Sequence, residues 1–121
     1  SVYPRYAYAG KFEPTLGLVK MYRVDNFNAI KIGSDIPVTF LAGDNTIVFS
    51  RVGNDFSAMV NGTVVGTFND ATYAVNGARR RHGTVPTPYT TGAGRMKSFE
   101  VLDSVTPGGA PPPVYPSIRV W

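Results

Sequence analysis

The acidic residues are the first place to look for catalytic chemistry in this chain. Eight Asp and Glu residues occur among 121, and no two stand at positions i and i+2, the spacing that puts two carboxylates on one face of a strand. Glycoside hydrolysis needs two carboxylates about 5 to 10 Å apart around the scissile bond. The one histidine, His82, lies in a run of arginines, and no Ser, His and Asp order suggests a triad. The sequence therefore predicts a protein that is not an enzyme.

Metal chemistry has few candidates. The chain has no cysteine, which excludes disulfides, thiolate metal sites and cysteine nucleophiles. Oxygen ligands for calcium are available in turn sequences. Asn and Asp in turns usually cap the backbone instead. We therefore expect no cofactor and no metal, and a calcium ion at the rim of the domain is the less favoured alternative, with these ligands: Asp25, Asn26, Asn28, Asn69 and Asp70.

One basic run stands out from a net charge of +4 that is otherwise spread along the chain. Arg79-Arg80-Arg81-His82 lies between Asn76-Gly77 and Gly83, and this bracketing by turn residues predicts a loop tip. Two interpretations stay open: a solvated tip, or a contact with the acidic surface of a glycan or a partner protein. Nucleic acid is not an expected partner, because no recognition helix is indicated and aromatic residues are not interleaved with the basic ones.

The segment between Asp70 and Arg95 is the longest without a strand pattern, and it contains the basic run. Long loops on rigid scaffolds often carry binding sites. Aromatic rings stack on sugar faces, while Arg and Asn side chains hydrogen-bond to them. We predict that the ligand-binding residues are Tyr73, Arg79, Arg80, Arg81, His82 and Tyr89.

The elements that must position these residues are predicted to be strands. Apolar and polar residues alternate over 16–24, 29–32, 36–41, 46–52, 56–60, 63–68 and 95–102, and Gly, Asn and Asp clusters separate these segments. Asn61-Gly62 is typical of a type I′ turn, which makes 46–68 three consecutive antiparallel strands. This spacing favours an all-β antiparallel sandwich. No run of about 18 apolar residues occurs, so membrane insertion is not expected.

The two ends differ from the middle. We divide the chain into a Tyr-rich N-terminal arm over 1–15, a β-sandwich over 16–103 and a Pro-rich tail over 104–121, which we expect to be an extended strap. Two interpretations of the ends stay open. Both pack on their own domain, or the tail contacts another subunit through Tyr115, Ile118, Val120 and Trp121.

The order of these features resembles a known family. "NTIVFSRVGNDFSAMVNGTVVGTFND" followed by "GRMKSFEVLDS" resembles the concanavalin-like, laminin-G-like jelly roll, through Val60-Asn61-Gly62, Asp70, the segment 77–83 and the closing strand 99–103. With "LVKMYRVDNFNAIKIG" the resemblance covers about residues 16–103. The order of these segments is similar to that in the C-terminal modules of minor tail proteins in phages of actinobacteria. The resemblance implies a jelly-roll β-sandwich.

It also implies a non-catalytic binding or assembly module. We expect a phage virion component, of tail or surface type, that contacts host-surface carbohydrate or a neighbouring subunit. Its partners would be other virion subunits or copies of itself, together with a cell-surface glycan. One alternative is a secreted or cell-surface lectin-like domain, which would be extracellular. A second is a purely structural decoration protein of a capsid or tail.

Overall fold

The computed structural model describes residues 3–73, 77–87, 98–106 and 117–120, with the backbone alone for 85–87 and 117–120. Every regular element within these ranges is a β-strand. No helix long and apolar enough to cross a membrane occurs in this described part of the chain. The strands are β1 (Tyr6–Glu13), β2 (Leu18–Asp25), β3 (Asn28–Pro37), β4 (Gly43–Val52), β5 (Asp55–Val60), β6 (Thr63–Asn69), β7 (Ala78–Thr87), β8 (Phe99–Ser104) and β9 (Ser117–Val120).

These strands form two antiparallel sheets. Sheet A has the order β3-β2-β1-β8-β9, and sheet B has the order β6-β5-β4-β7. In sheet B the first three strands follow one another through hairpins, and β7 returns beside β4, which is the spatial order of a Greek key. The prediction of an all-β antiparallel sandwich is confirmed.

The core lies between the two sheets. Strand β1 contributes Tyr8 and Phe12 to it, and β4 contributes Ile47 and Phe49. Gly10 lets these layers approach closely, because a Cβ atom there would lie 3.3 Å from Cγ of Phe49, and the Phe49 ring would have to move to make room for it. Full burial of a side chain such as Ile47 or Phe49 stabilises the fold by about 1.5–3 kcal/mol.

The predicted hairpin is present. Asn61 and Gly62 have φ values of 51° and 81°, as a type I′ turn requires. The Asn61 side chain also holds the start of β4: its Oδ1 accepts a hydrogen bond from the Thr46 backbone at 2.9 Å, and its Nδ2 donates to Asn45 Oδ1 at 2.8 Å. This turn therefore connects β5 and β6 and braces β4.

The predicted N-terminal arm over 1–15 is wrong for most of its length. Strand β1 (Tyr6–Glu13) lies at the centre of sheet A between β2 and β8. Six of its eight residues are buried, so both of its faces are covered and the chain shows no alternation there. The separate strand predicted over 36–41 is also wrong, since β3 is one strand that ends at Pro37.

The C-terminal tail is partly described. Residues 117–120 form β9, which pairs with β8 from Phe99↔Val120 to Leu102↔Ser117. This part of the tail therefore packs on its own domain, as the last of the described strands of sheet A. Tyr115 and Trp121 lie outside the described residues, as do the side chains of Ile118 and Val120, so a contact of these four with another subunit stays a prediction.

Candidate functional site

The basic run lies on a strand, and the predicted loop tip is wrong. Strand β7 pairs with β4 in the register Arg79↔Arg51, Arg80↔Ser50 and Arg81↔Phe49. Since successive side chains of a strand point to opposite faces, the run divides in two. Arg79 and Arg81 face the interior beside Arg51 and Phe49, while Arg80 and His82 are exposed on the other face of sheet B.

The interior half of the run joins a buried group of charges, which we call the arginine cluster: Arg51, Arg79, Arg81 and Asp103. Arg51 Nε donates to Asp103 Oδ2 at 2.6 Å, and both side chains are at most 3% exposed. The other two guanidinium groups approach Oδ1 of the same carboxylate, Arg81 at 3.6 Å and Arg79 at 3.9 Å. Because Arg51 and Arg79 come from sheet B and Asp103 from sheet A, the cluster links the two sheets.

A second polar network lies next to the cluster, because Tyr8 is the cross-strand neighbour of both Arg23 and Asp103. Arg23 Nη1 donates to Asp70 Oδ2 at 2.6 Å, and the Tyr8 hydroxyl donates to Asp70 Oδ1 at 2.8 Å. Burial raises the pKa of Tyr8 above its ordinary value, and the hydrogen bond to Asp70 adds to this. Burial acts against the charge of Asp70, but hydrogen bonds from Thr72 and Tyr8 and the charge of Arg23 hold its pKa below the usual value.

Tyr73 belongs to the core rather than to an exposed binding loop. It is 5% exposed, and its hydroxyl donates to the Val24 carbonyl at 2.8 Å. Its ring packs against Tyr6 and Tyr8 at centroid distances of 5.6 and 5.5 Å. Burial, followed by a hydrogen bond with Asp25, raises the pKa of Tyr73 to about 12. The sequence expectation that Tyr73 meets a ligand is therefore replaced by a structural role, and Tyr89 lies outside the described residues.

The acidic residues are engaged in structural contacts or lie exposed at turns. Glu13 bridges Lys11 and Lys20 at 3.4 and 3.3 Å. Glu100 is 1% exposed and accepts a hydrogen bond from Tyr3. In the described ranges, no group of three or more His, Cys, Asp or Glu is placed to hold a metal ion. The predictions of no catalysis and no cofactor stay predictions.

Four of the five residues considered for calcium take part in hydrogen bonds within the protein. Asn28 Nδ2 donates to the Asn26 carbonyl at 3.1 Å, and Asn69 Nδ2 donates to Asp55 at 2.8 Å. Both oxygens of Asp70 already accept hydrogen bonds, from Tyr8 and Arg23. The Asn28 contact stabilises a turn, the role that competes with metal binding, while the contacts of Asp70 tie it to β1 and β2 of sheet A.

The exposed half of the basic run lies on an open sheet surface. We call this surface the outer face of sheet B; it combines small hydroxyl side chains with two basic ones, Arg80 and His82, and two acidic ones, Asp44 and Asp55. Ser50 pairs with both Ser57 and Arg80 across its neighbouring strands, and the two serine hydroxyls lie 2.7 Å apart. Its members by register are Asp44, Thr46, Val48, Ser50, Val52, Asp55, Ser57, Met59, Val64, Thr67, Asn69, Ala78, Arg80, His82 and Thr84.

Sequence reasoning missed the ion pairs that link the sheets. Arg23 pairs with Asp70 and Arg51 with Asp103, and the partners of each pair are far apart in sequence, so no local pattern indicates them. Arg51 carried a signal: it alternates with Ile47 and Phe49 and so shares their inward face. A buried arginine requires an acidic partner, and that requirement points to an inward-facing carboxylate on another strand.

Comparisons with known proteins gave no match to a family model, a curated protein or a solved structure. The resemblance to laminin-G-like jelly rolls and phage tail modules therefore stays a prediction.

Proposed function

We propose that the protein is a non-catalytic binding and assembly domain of a phage virion, and that the outer face of sheet B contacts carbohydrate on a host surface. One observation carries this proposal: Arg80 and His82 are exposed on a flat strand surface beside a row of hydroxyl groups. The assignment to a virion is supported by the resemblance of residues 16–103 to tail-protein modules. The Greek-key order of sheet B supports the finer assignment to a jelly roll.

The part of this surface around Arg80 and His82 suits an acidic sugar. A guanidinium forms charge-assisted, bidentate hydrogen bonds with a carboxylate or sulfate. The hydroxyls of Ser50, Ser57 and Thr67 both donate and accept hydrogen bonds, as sugar hydroxyls require. Because the described part of the face has no aromatic ring for stacking, we expect a single copy to bind weakly. Many copies on one particle would compensate through avidity.

The test is a glycan-binding screen followed by titration of the acidic and neutral hits. Arg80→Ala is expected to weaken binding of an acidic glycan at least tenfold, because its charge and hydrogen bonds are lost together. Lys31→Ala is the matched control: it also removes one exposed positive charge, but from β3 in sheet A.

Equal losses of glycan affinity in Arg80→Ala and Lys31→Ala would mean that only the net charge of the protein matters. That result would contradict the proposed surface. If no glycan binds but light scattering shows the chain to self-associate, assembly with a neighbouring subunit replaces carbohydrate binding as the function.

A further inference from the structure

Two adjacent rows of side chains cross the outer face of sheet B, and they differ in chemistry. The polar row has, in order from β6 to β7, Thr67, Ser57, Ser50 and Arg80. The apolar row has, on the same four strands, Val64, Met59 and Val48, and it ends on His82. A ligand that lies across both rows therefore meets hydroxyl groups and a guanidinium on one side and apolar side chains on the other.

A β-bulge in β6 completes the apolar row. The register of β5 and β6 shifts between Ala58 and Met59, so that Thr67 pairs with Ser57 and Val64 pairs with Met59. In a regular strand, side chains three positions apart point to opposite faces. The bulge therefore places Val64, which is 50% exposed, on the same face as Thr67. Bulges are common next to active sites, where they re-aim side chains in this way.

The charges of the face favour an anionic group at one end of the polar row. Arg80 is exposed there, on β7. From the spacing of strands and of residues along them, the backbone of Asp55 lies roughly 12 Å from that of Arg80, and the backbone of Asp44 roughly 20 Å. Both separations exceed the Debye length of about 8 Å at physiological ionic strength. A carboxylate bound at Arg80 is therefore attracted by its guanidinium and repelled little by either acid.

We propose that the carbohydrate bound by this face is an acidic sugar that also carries an N-acetyl group. This proposal rests on the function proposed above and names the class of ligand. The carboxylate of the sugar pairs with Arg80, which offers forked hydrogen bonds. The methyl group of the acetyl packs on Met59 and Val64, while the sugar hydroxyls exchange hydrogen bonds with Ser50 and Ser57.

The spacing of the two rows suits a ligand of this size. They are two residues apart along each strand, a distance of about 6.8 Å. A sugar ring with a carboxylate on one side and an acetamido group on the other spans a distance of this order. His82 stands at the β7 end of the apolar row, where an N–H of its ring can donate to the acetyl carbonyl. Burial of the methyl group alone is worth about fourfold in affinity.

The first experiment titrates the wild-type protein with four methyl glycosides that separate the two groups. N-acetylglucosaminuronic acid carries both the carboxylate and the N-acetyl group, glucuronic acid the carboxylate alone, N-acetylglucosamine the N-acetyl group alone, and glucose neither. We expect the first to bind at least about fourfold more tightly than glucuronic acid. We also expect it to bind more tightly than N-acetylglucosamine and to shift the NMR signals of the Met59 methyl group and the Arg80 Nε–H group.

The outcomes separate this inference from the proposed function. Equal affinities for the two uronic acids would overturn the inference and leave carbohydrate binding by the face standing. An unchanged Met59 methyl signal would do the same. If none of the four sugars shifts a signal on the outer face of sheet B, both proposals are contradicted.

Two variants assign the preference to the apolar row. Met59→Ser is expected to reduce the ratio of affinities for the two uronic acids to about one, because the contact with the acetyl methyl group is lost. Leu16→Ser is the matched control, since it removes an apolar side chain that is 64% exposed, but from the turn between β1 and β2. A ratio that survives Met59→Ser, or that falls equally in Leu16→Ser, would contradict the inference. If Met59→Ser does not fold, the four sugars with the wild-type protein decide.

Discussion

Asp103 is the one described carboxylate in contact with three guanidinium groups, which predicts an asymmetry between two substitutions in the arginine cluster. Asp103→Asn keeps the shape of the side chain and an oxygen that accepts from Arg51, but it removes the negative charge that the buried Arg51 and the partly buried Arg79 and Arg81 share. Arg51→Met removes one positive charge. Asp103 then still has Arg81 and Arg79 at 3.6 and 3.9 Å.

The expected magnitudes follow from this difference. Loss of one partner of a buried ion pair costs about 3–5 kcal/mol, because the other charge stays buried without compensation. We expect Asp103→Asn to reach at least this range. Arg51→Met loses a charge-assisted hydrogen bond worth about 1.5–3 kcal/mol. A domain of 121 residues has a free energy of unfolding of roughly 6–18 kcal/mol, so both variants should remain folded enough to measure.

Urea unfolding at neutral pH measures both variants, with Asp44→Asn as the control because Asp44 is exposed. The control should change the free energy of unfolding by less than about 0.5 kcal/mol. Repeating the series in about 1 M NaCl should leave the order unchanged, since salt screens buried pairs weakly. A cost for Asp103→Asn that is no larger than the cost for Arg51→Met would refute the reasoning that the Asp103 carboxylate stabilises all three guanidinium groups.

Three further changes test other parts of the fold. Phe27 is 52% exposed at a φ of 71°, so Phe27→Gly should raise the free energy of unfolding by about 0.5–1 kcal/mol in urea titrations, while Phe27→Ala should not. The pKa of Tyr73 is raised to about 12, so the contribution of Tyr73 to stability should be constant below pH 10 and fall by about 2–3 kcal/mol between pH 10 and 12; the difference in pH dependence between the wild-type protein and Tyr73→Phe measures it. A Cβ atom at Gly66 would overlap Ile36 Cδ1, so Gly66→Ala should cost about 1–3 kcal/mol by thermal unfolding, and adding Ile36→Val should recover much of it.

Local turn chemistry explains why the sequence predicts the β4-β5-β6 meander so well. Asn61-Gly62 supplies the two positive φ values within two residues, and the flanking strands alternate because one face of sheet B is open. Every piece of information needed for these strands lies inside 43–69. The type of fold followed from the same signals repeated along the chain.

The central strand of sheet A could not be found in this way. Strand β1 is buried on both faces, so its sequence "YAYAGKFE" has small and aromatic residues without a polar alternation. The neighbouring Pro4 and Pro14 suggested an extended arm. What makes it a strand is pairing with β8, about 90 positions away in sequence, between Phe12 and Phe99 at one end and Ala7 and Ser104 at the other.

The prediction of a loop tip for the basic run was wrong for a related reason. Four consecutive basic residues are usually a solvated surface feature, and Gly77 and Gly83 strengthened that interpretation. The strand is possible because Asp103 on β8 accepts the charge of the inward-facing arginines. That compensation is non-local, so the sequence identified the right residues but predicted the wrong element.

The same arrangement gives the arginine cluster a role in specifying the register of β7. A slip of one residue against β4 would turn Arg80 and His82 inward and Arg79 and Arg81 outward. Asp103 would then lose its contacts with Arg79 and Arg81. Its remaining partners would be Arg51 and any guanidinium group that the slip brought to a new position along β7. Residues 79–82 have no hydrophobic side chain on either face of the strand. The slip would therefore cost little hydrophobic burial at these positions. In this strand the pairing of buried charges therefore specifies the register that hydrophobic alternation specifies in β4 and β5.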